Sequence, residues 1–316
     1  MCSIFGVLDY KGKLESAQRK SMVRVLGIAA EVRGTDATGI AFFHDGSLRI
    51  QKDPKPAHRM KFRITNEARY IMGHTRMTTQ GSEKQNQNNH PFPGNAGGMK
   101  FALAHNGVLI NDRELALRNQ LPQTNIETDS YVAVQLIEKQ NEVSPDSLRR
   151  MAEVLQGHFT FTVLDQKNNL YFVKGNNPLT IYHYPQMGVY LYASTQEILE
   201  VAARKLGISM WKKEIIQPRQ GDILRIDRNG RRTTTRFDDT NISHSWWSYI
   251  PSQHISRENE HMSLVLEMAD YLGIPRQEML LFSKAGYSAW DLEDLLYDDK
   301  LRACCLEEIQ MELAAW

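Results

Sequence analysis

Cys2 is the residue from which a chemistry can be read. It stands directly behind Met1 and becomes the first residue once the initiator is trimmed, which is expected when the second residue is as small as Cys. A thiol and a free α-amine then share one residue, so a nucleophile and a base are held together covalently. An amine of pKa roughly 7.7–8.0 is well matched to take a proton from a thiol of roughly 8.5 near neutral pH. A cysteine here is equally compatible with an ordinary buried position at the start of a strand, so other residues must decide.

Five polar clusters follow within the first 130 residues. They are Arg33-Gly34-Thr35-Asp36, Gly73-His74-Thr75-Arg76, Asn88-Asn89-His90-Pro91, His105-Asn106-Gly107 and Thr128-Asp129. Asn106 and Gly107 offer an amide and a flexible backbone N–H, the donors that an oxyanion needs. Arg76 offers a planar fork suited to a carboxylate. Asp129 offers an anion for an amine. Arg33 and Asp36 are as well suited to pair with one another and hold their loop. His74 and His105 end apolar strands and read as packed core histidines, and His90 as a residue that orders its loop.

The elements that must position these residues follow from periodicity. Residues 2–9 read as a buried strand, and apolar spacing from Leu14 to Val32 predicts a helix. Asp45-Gly46 predicts a two-residue hairpin turn. Ala68 to Arg76 reads as a strand, residues 77–99 as a long polar loop, and Phe101 to Ala104 as a strand running into His105-Asn106-Gly107. Ser144-Pro145 caps a helix. Strands return from His158, interrupted by an amphipathic helix at Thr195 to Leu206, and Asn229-Gly230 turns the last hairpin. Strand groups joined by hairpins rather than βαβ crossovers predict an α+β fold with two mainly antiparallel sheets and helices outside them. Composition changes near residue 239. Residues 239–260, with Trp246, Trp247 and Tyr249, read as a linker, and 261–316 as a small all-helical domain.

The bulk numbers bound the rest. A chain of 316 residues with 41% hydrophobic and 24% charged content is of globular type. A net charge of +1 gives no footprint for nucleic acid. The 10 histidines show no metal-ligand pairing, and the three cysteines form neither a disulfide framework nor a zinc spacing. No apolar run approaches the roughly 18 residues of a membrane span, and no signal sequence is evident. A cytoplasmic protein without metal or cofactor is expected.

Taken in order, Cys2 and the five clusters resemble the class II glutamine amidotransferases, an N-terminal-nucleophile (Ntn) hydrolase family, over residues 2–238. The resemblance implies an αββα sandwich and hydrolysis of L-glutamine to glutamate and ammonia through a thioester on Cys2. It implies an oxyanion hole at Asn106 and Gly107, a carboxylate site at Arg76 with Thr79, an amine site at Asp129, and Arg33 near the nucleophile. Met77 and Gln80 stand where the family pattern has Trp and His, which bears on lid closure and glutamine affinity. Gln80 is carried as a substrate-binding position. Ala37 replaces a Ser of the RGxDS pattern. Residues 239–316 are too short for the ammonia-using domains of the family, so the acceptor synthase is expected on a separate chain, with the helical domain docking it or mediating self-association. Two other readings stay open: a glutamine-sensing regulator with little turnover, and a hydrolase of another amide.

Overall fold

The computed structural model describes residues 2–244 without a break, and 262, 265–266, 268–270, 272–285, 287, 292, 295–296 and 299–314 beyond. The chain divides into two units, Met1–Ser248 and Tyr249–Trp316. The expected linker aromatics Trp246, Trp247 and Tyr249 lie outside the described residues.

The first unit is a four-layer sandwich. A seven-stranded sheet has the order β11-β9-β10-β1-β4-β2-β3 and a six-stranded sheet the order β13-β12-β8-β7-β6-β5, all neighbours antiparallel. The first sheet holds β1 (Ser3–Asp9), β2 (Ala37–His44), β3 (Ser47–Asp53), β4 (Tyr70–Arg76), β9 (Thr180–Tyr184), β10 (Val189–Ala193) and β11 (Glu214–Ile216). The second holds β5 (Phe92–Ala96), β6 (Met99–Leu109), β7 (Gly157–Asp165), β8 (Leu170–Lys174), β12 (Asp222–Ile226) and β13 (Arg232–Arg236). Helices α1 (Ser16–Ala29) and α5 (Gln196–Lys205) cover the first sheet; α3 (Tyr131–Lys139) and α4 (Pro145–Val154) cover the second, and α2 (Asp112–Arg118) packs against α3. The expected αββα arrangement is borne out.

Three apolar cores separate the layers, and strand alternation assigns side chains to them. Ile4 and Leu8 of β1, Met72 of β4 and Ala102 and Ala104 of β6 meet between the sheets. Phe5 and Val7 face α1 and α5, while Phe101 and Leu103 face α3 and α4. With a side-chain period of two, Cys2, Arg76 and Asn106 fall on the same parity as Ile4, Met72 and Ala104. All three are thereby directed into the space between the sheets, at one end of the sandwich.

Local signals hold where they carry a mechanism. Asp45 and Gly46 both have positive φ, as the two-residue hairpin requires. Ser144 and Ser147 cap α4 reciprocally. Two departures matter for the site. The polar loop of 77–99 contains an edge strand, β5, hidden in the sequence by Pro93 and Gly94, residues that sheets confine largely to edges and bulges. And β6 does not end before His105-Asn106-Gly107 but carries all three in register with β7. Residues 240–244, inside the stretch expected as a linker, form a short helix, α6 (Thr240–His244). It packs on the first unit through buried Ile242, and Asn241 Nδ2 donates to the Glu153 carbonyl.

The second unit has its own apolar core, in which Val265, Ala269, Met279, Phe282, Leu295 and Ile309 take part. Its described helices include α7 (Arg276–Lys284) and α8 (Asp299–Ala314), joined by an Arg302–Glu278 ion pair of 3.0 Å.

Candidate active site

Cys2 lies immediately before β1, the middle strand of its sheet, between β10 and β4. It shares a narrow cleft with Arg76, Met77, Thr79, Gln80, Gly107 and Asp129. His90, His105, Thr128 and Ser130 complete the wall. Asn106 is fully buried beside the cleft rather than on its surface. Arg33 is not on the wall; its Nε donates to the Cys2 carbonyl at 3.1 Å and so anchors the backbone of the nucleophile. Asp36 Oδ2 accepts the Thr78 N–H at 2.7 Å. Each therefore has a task other than pairing with the other.

The Cys2 thiol donates to the Met77 carbonyl at 3.4 Å. Burial pushes its pKa up, against the nearby amino terminus, a Met77 backbone contact and Arg76, which pull it down; Asp129 adds to the rise. The resting group is therefore a thiol, and its use as a nucleophile requires a base.

Arg76 and Asp129 are both almost fully buried. Arg76 Nη1 donates to Asn89 Oδ1 at 2.7 Å, and Nη2 to the carbonyls of Gln80 at 2.5 Å and Gly81 at 2.9 Å. Asp129 Oδ2 accepts the Leu109 N–H at 2.5 Å, and Oδ1 the Ser130 hydroxyl at 3.2 Å. Among the described residues neither charge reaches an ion-pair partner within 4.0 Å. Burial accordingly lowers the Arg76 pKa and raises that of Asp129, though hydrogen bonds and the Arg76 charge oppose the latter shift. A buried cation and a buried carboxylate, each without a counter-ion among the described residues, thus share the cleft with the thiol. Such charges are costly alone and favour a ligand carrying both opposite charges.

Among the described residues, Asn106 has no hydrogen-bond partner on either side-chain amide atom. Its backbone carbonyl accepts from Asn177 Nδ2 at 2.8 Å, which fixes the strand. Gly107 has φ +149°, and a Cβ there would lie 1.9 Å from the His158 carbonyl oxygen. Only glycine fits, so the register of β6 on β7 keeps this backbone free of a side chain. An unengaged buried amide beside a glycine backbone is an arrangement able to donate to an oxyanion.

Three buried histidines stand together here, His90 and His105 on the cleft wall and His74 against His90. The His74 ring packs against that of His90, with centroids 4.3 Å apart and planes tilted by 34°, and donates from Nε2 to the His105 carbonyl at 2.9 Å. Burial lowers all three pKa values, those of His74 and His105 to about 3. They are neutral at physiological pH and have the packed character expected of His74 and His105. His90 does not order the loop through its ring nitrogens, which have no hydrogen-bond partners among the described residues. That task falls to its neighbours. Asn89 Nδ2 holds the Glu83 carbonyl and Asn86 Oδ1, and Asn88 Nδ2 holds the Ser82 carbonyl and Glu127. Asn88, Asn89 and Ser130 were not singled out as site residues, although the first two stand in the Asn-Asn-His-Pro cluster.

Met77 and Gln80 lie in the loop over the nucleophile; Thr79 is exposed at the rim and Gln80 presents its carbonyl to Arg76. The space left in the cleft is about 10 Å³, about that of one water. No group of metal-ligating side chains occurs among the described residues, and no helix there is long and apolar enough to cross a membrane.

A family model described as class-II glutamine amidotransferases matches residues 14–179. The match begins downstream of Cys2 and includes Arg33, Arg76, Asn106, Gly107 and Asp129. A glutamine–fructose-6-phosphate aminotransferase (isomerizing) of Staphylococcus epidermidis is 29% identical over 190 residues, 57% of this chain and 30% of that protein. A 7-cyano-7-deazaguanine synthase 2 of Sulfurisphaera tokodaii is 26% identical over 214 residues, 64% of this chain and 45% of that protein. Among solved structures, the glutamine phosphoribosylpyrophosphate amidotransferase of B. subtilis, complexed with ADP and GMP, matches with a TM-score of 0.57 at 21% identity. It covers 85% of this chain and 58% of its own. A second, an allosteric regulatory enzyme of purine biosynthesis, gives a TM-score of 0.61 at the same identity and coverage. These two likenesses are of fold. The chain spans 30% and 45% of the length of these two curated relatives.

Proposed function

Because this chain belongs to the class-II glutamine amidotransferases, we propose that it hydrolyses L-glutamine to glutamate and ammonia through a thioester on Cys2. The observation that carries this reading is a pair of buried charges, Arg76 and Asp129, that line one cleft with a thiol and have no ion-pair partner among the described residues. L-Glutamine presents a carboxylate to the first, an ammonium to the second and an amide to the thiol. In this reading Thr79 and Gln80 support the carboxylate end.

The chemistry proceeds on the chain with Met1 removed. The Cys2 α-amine takes the thiol proton as sulfur attacks the side-chain amide carbon. Asn106 Nδ2 and the Gly107 N–H donate to the resulting oxyanion, each donor contributing about 100- to 1,000-fold in rate. The protonated amine returns its proton to nitrogen as the C–N bond breaks, and ammonia leaves. Water, deprotonated by the same amine, then cleaves the thioester to glutamate. The ammonia passes to an acceptor synthase on a separate chain, in the reducing cytoplasm that an N-terminal thiol requires.

The test is ammonia release from L-glutamine by protein with an exposed Cys2, alone and with its candidate synthase, against Cys2→Ala. Activity in the parent and none in the variant is expected; equal release from both sinks the proposal. A second reading, a glutamine-binding regulator with little turnover, draws on the Gln80 and Gly81 carbonyls that engage Arg76. Calorimetric binding of glutamine to Cys2→Ser, with no turnover in the parent, would favour it.

A further inference from the structure

A single chain of hydrogen bonds ties the strand of Arg76 to the strand of Asn106 and Gly107 and then to Asp129. His74 stands two residues before Arg76 on β4, and its Nε2 donates to the His105 carbonyl at 2.9 Å. This bond crosses from one sheet to the other. His105 Nδ1 lies 2.8 Å from Ser130 Oγ, and Ser130 Oγ lies 3.2 Å from Asp129 Oδ1. Every member is buried, from His74 at 1% exposure to Asp129 at 5%. His105 is further fixed by stacking on Phe161 at 4.4 Å.

The direction of the protons follows from donor counting. Ser130 has one hydroxyl proton, and the buried Asp129 carboxylate is the acceptor that loses most by going without it. With that proton committed to Asp129, His105 must donate from Nδ1, and the neutral ring then has a bare Nε2. His105 Nε2 makes no bond of strict geometry among the described residues, but the His158 carbonyl is placed to accept from it and opposes the fall in the ring's pKa. The competing arrangement turns both protons round: Ser130 donates to His105 Nδ1 and Nε2–H faces His158. It would take the Ser130 hydroxyl from Asp129 Oδ1 and leave the carboxylate only the Leu109 and Ser130 backbone N–H groups.

We infer that Ser130 and His105 are positioning residues that orient the Asp129 carboxylate for the substrate ammonium, in a relay running His74–His105–Ser130–Asp129. This rests on the glutamine reading of the site. Neither residue touches the reacting atoms, so the relay acts on substrate binding rather than on bond cleavage.

The experiment combines histidine tautomers with kinetics. In [15N]histidine-labelled parent protein with Cys2 exposed, long-range 15N–1H correlations should show His105 as the Nδ1–H tautomer and His74 as Nε2–H. In Ser130→Ala, His105 should shift towards Nε2–H. The KM for L-glutamine should rise about tenfold or more, with kcat within about threefold, the size and pattern for loss of a hydrogen bond to a charged group used in binding. Ser130→Thr, which keeps the hydroxyl, should restore KM. His105 found as Nε2–H in the parent overturns the relay. So does an unchanged KM in folded Ser130→Ala, or a fall in kcat at constant KM. If the parent releases no ammonia, the glutamine reading falls, and the tautomers still decide the hydrogen-bond chain: Nδ1–H in the parent upholds it and Nε2–H overturns it.

Discussion

Asp129 shows how one side chain is placed for a ligand at the expense of the empty protein. Its pKa is raised chiefly by burial, so folding favours its protonated form. A raised carboxyl contributes stability below its ordinary value of 3.8 and loses that contribution as pH rises through the folded value. At neutral pH its charge is therefore a burden that a bound ammonium relieves. Asp129→Asn keeps an acceptor for the Leu109 N–H and removes the charge. Calorimetric melting at pH 7.5 should show the variant at least as stable as the parent. Glutamine KM should rise about 100-fold, the scale for leaving a buried ligand charge without its partner. A variant that melts lower and retains its KM would contradict both halves. Of the candidate site, Cys2, Arg76, Gly107 and Asp129, which line one cleft, and the adjacent buried Asn106 could be singled out in the sequence because their order resembles a family pattern. Ser130, Asn88 and Asn89 were not, because a hydroxyl or amide takes its meaning from partners that only the folded chain supplies. The choice between pairing and separate roles for Arg33 and Asp36 was open for the same reason.

At the scale of elements, the segment from Met77 to Asn89 is held by side-chain amides more than by its own backbone ladder. Asn89 alone bonds Arg76, Glu83 and Asn86. Asn89→Ala should leave the sandwich folded while loosening this segment. Hydrogen exchange there should speed by at least about tenfold, as expected when local opening becomes easier by some 1.4 kcal/mol, and the glutamine KM should rise with the freed Arg76. Unchanged exchange would mean that the segment is held by something else. Most elements could be read from period and turn chemistry. The strand β5 could not, because Pro93 and Gly94 mimic loop composition at an edge where no interior ladder is needed. The extension of β6 through His105-Asn106-Gly107 was masked by an Asn-Gly pair that usually signals a turn. Here the glycine instead serves a close backbone approach to β7.

For the molecule as a whole, the three neutral histidines set an acid limit. Their folded pKa values lie below the ordinary 6.5, those of His74 and His105 at about 3. The unfolded chain therefore binds protons that the folded chain refuses. Stability is complete above about pH 6.5 and is lost as pH falls towards 3, by up to about 1.4 kcal/mol per pH unit for each histidine. Denaturant titrations at pH 7, 6 and 5 should show unfolding linked to the uptake of nearly three protons by pH 5, and His90→Phe should reduce that number by one. A pH-independent midpoint over this range would refute it. The sandwich itself was foreseeable from hairpin-linked strands, but the shared parity of Cys2, Arg76 and Asn106 emerges only when both sheets are laid face to face. The place of Cys2 reaches into how the protein must be handled. In the proposed mechanism the Cys2 α-amine is the base and Cys2 itself lines the cleft, so a peptide joined ahead of Cys2 would occupy that amine. A purification tag there would behave as a tethered inhibitor, and its proteolytic removal down to Cys2 would serve as an on-switch.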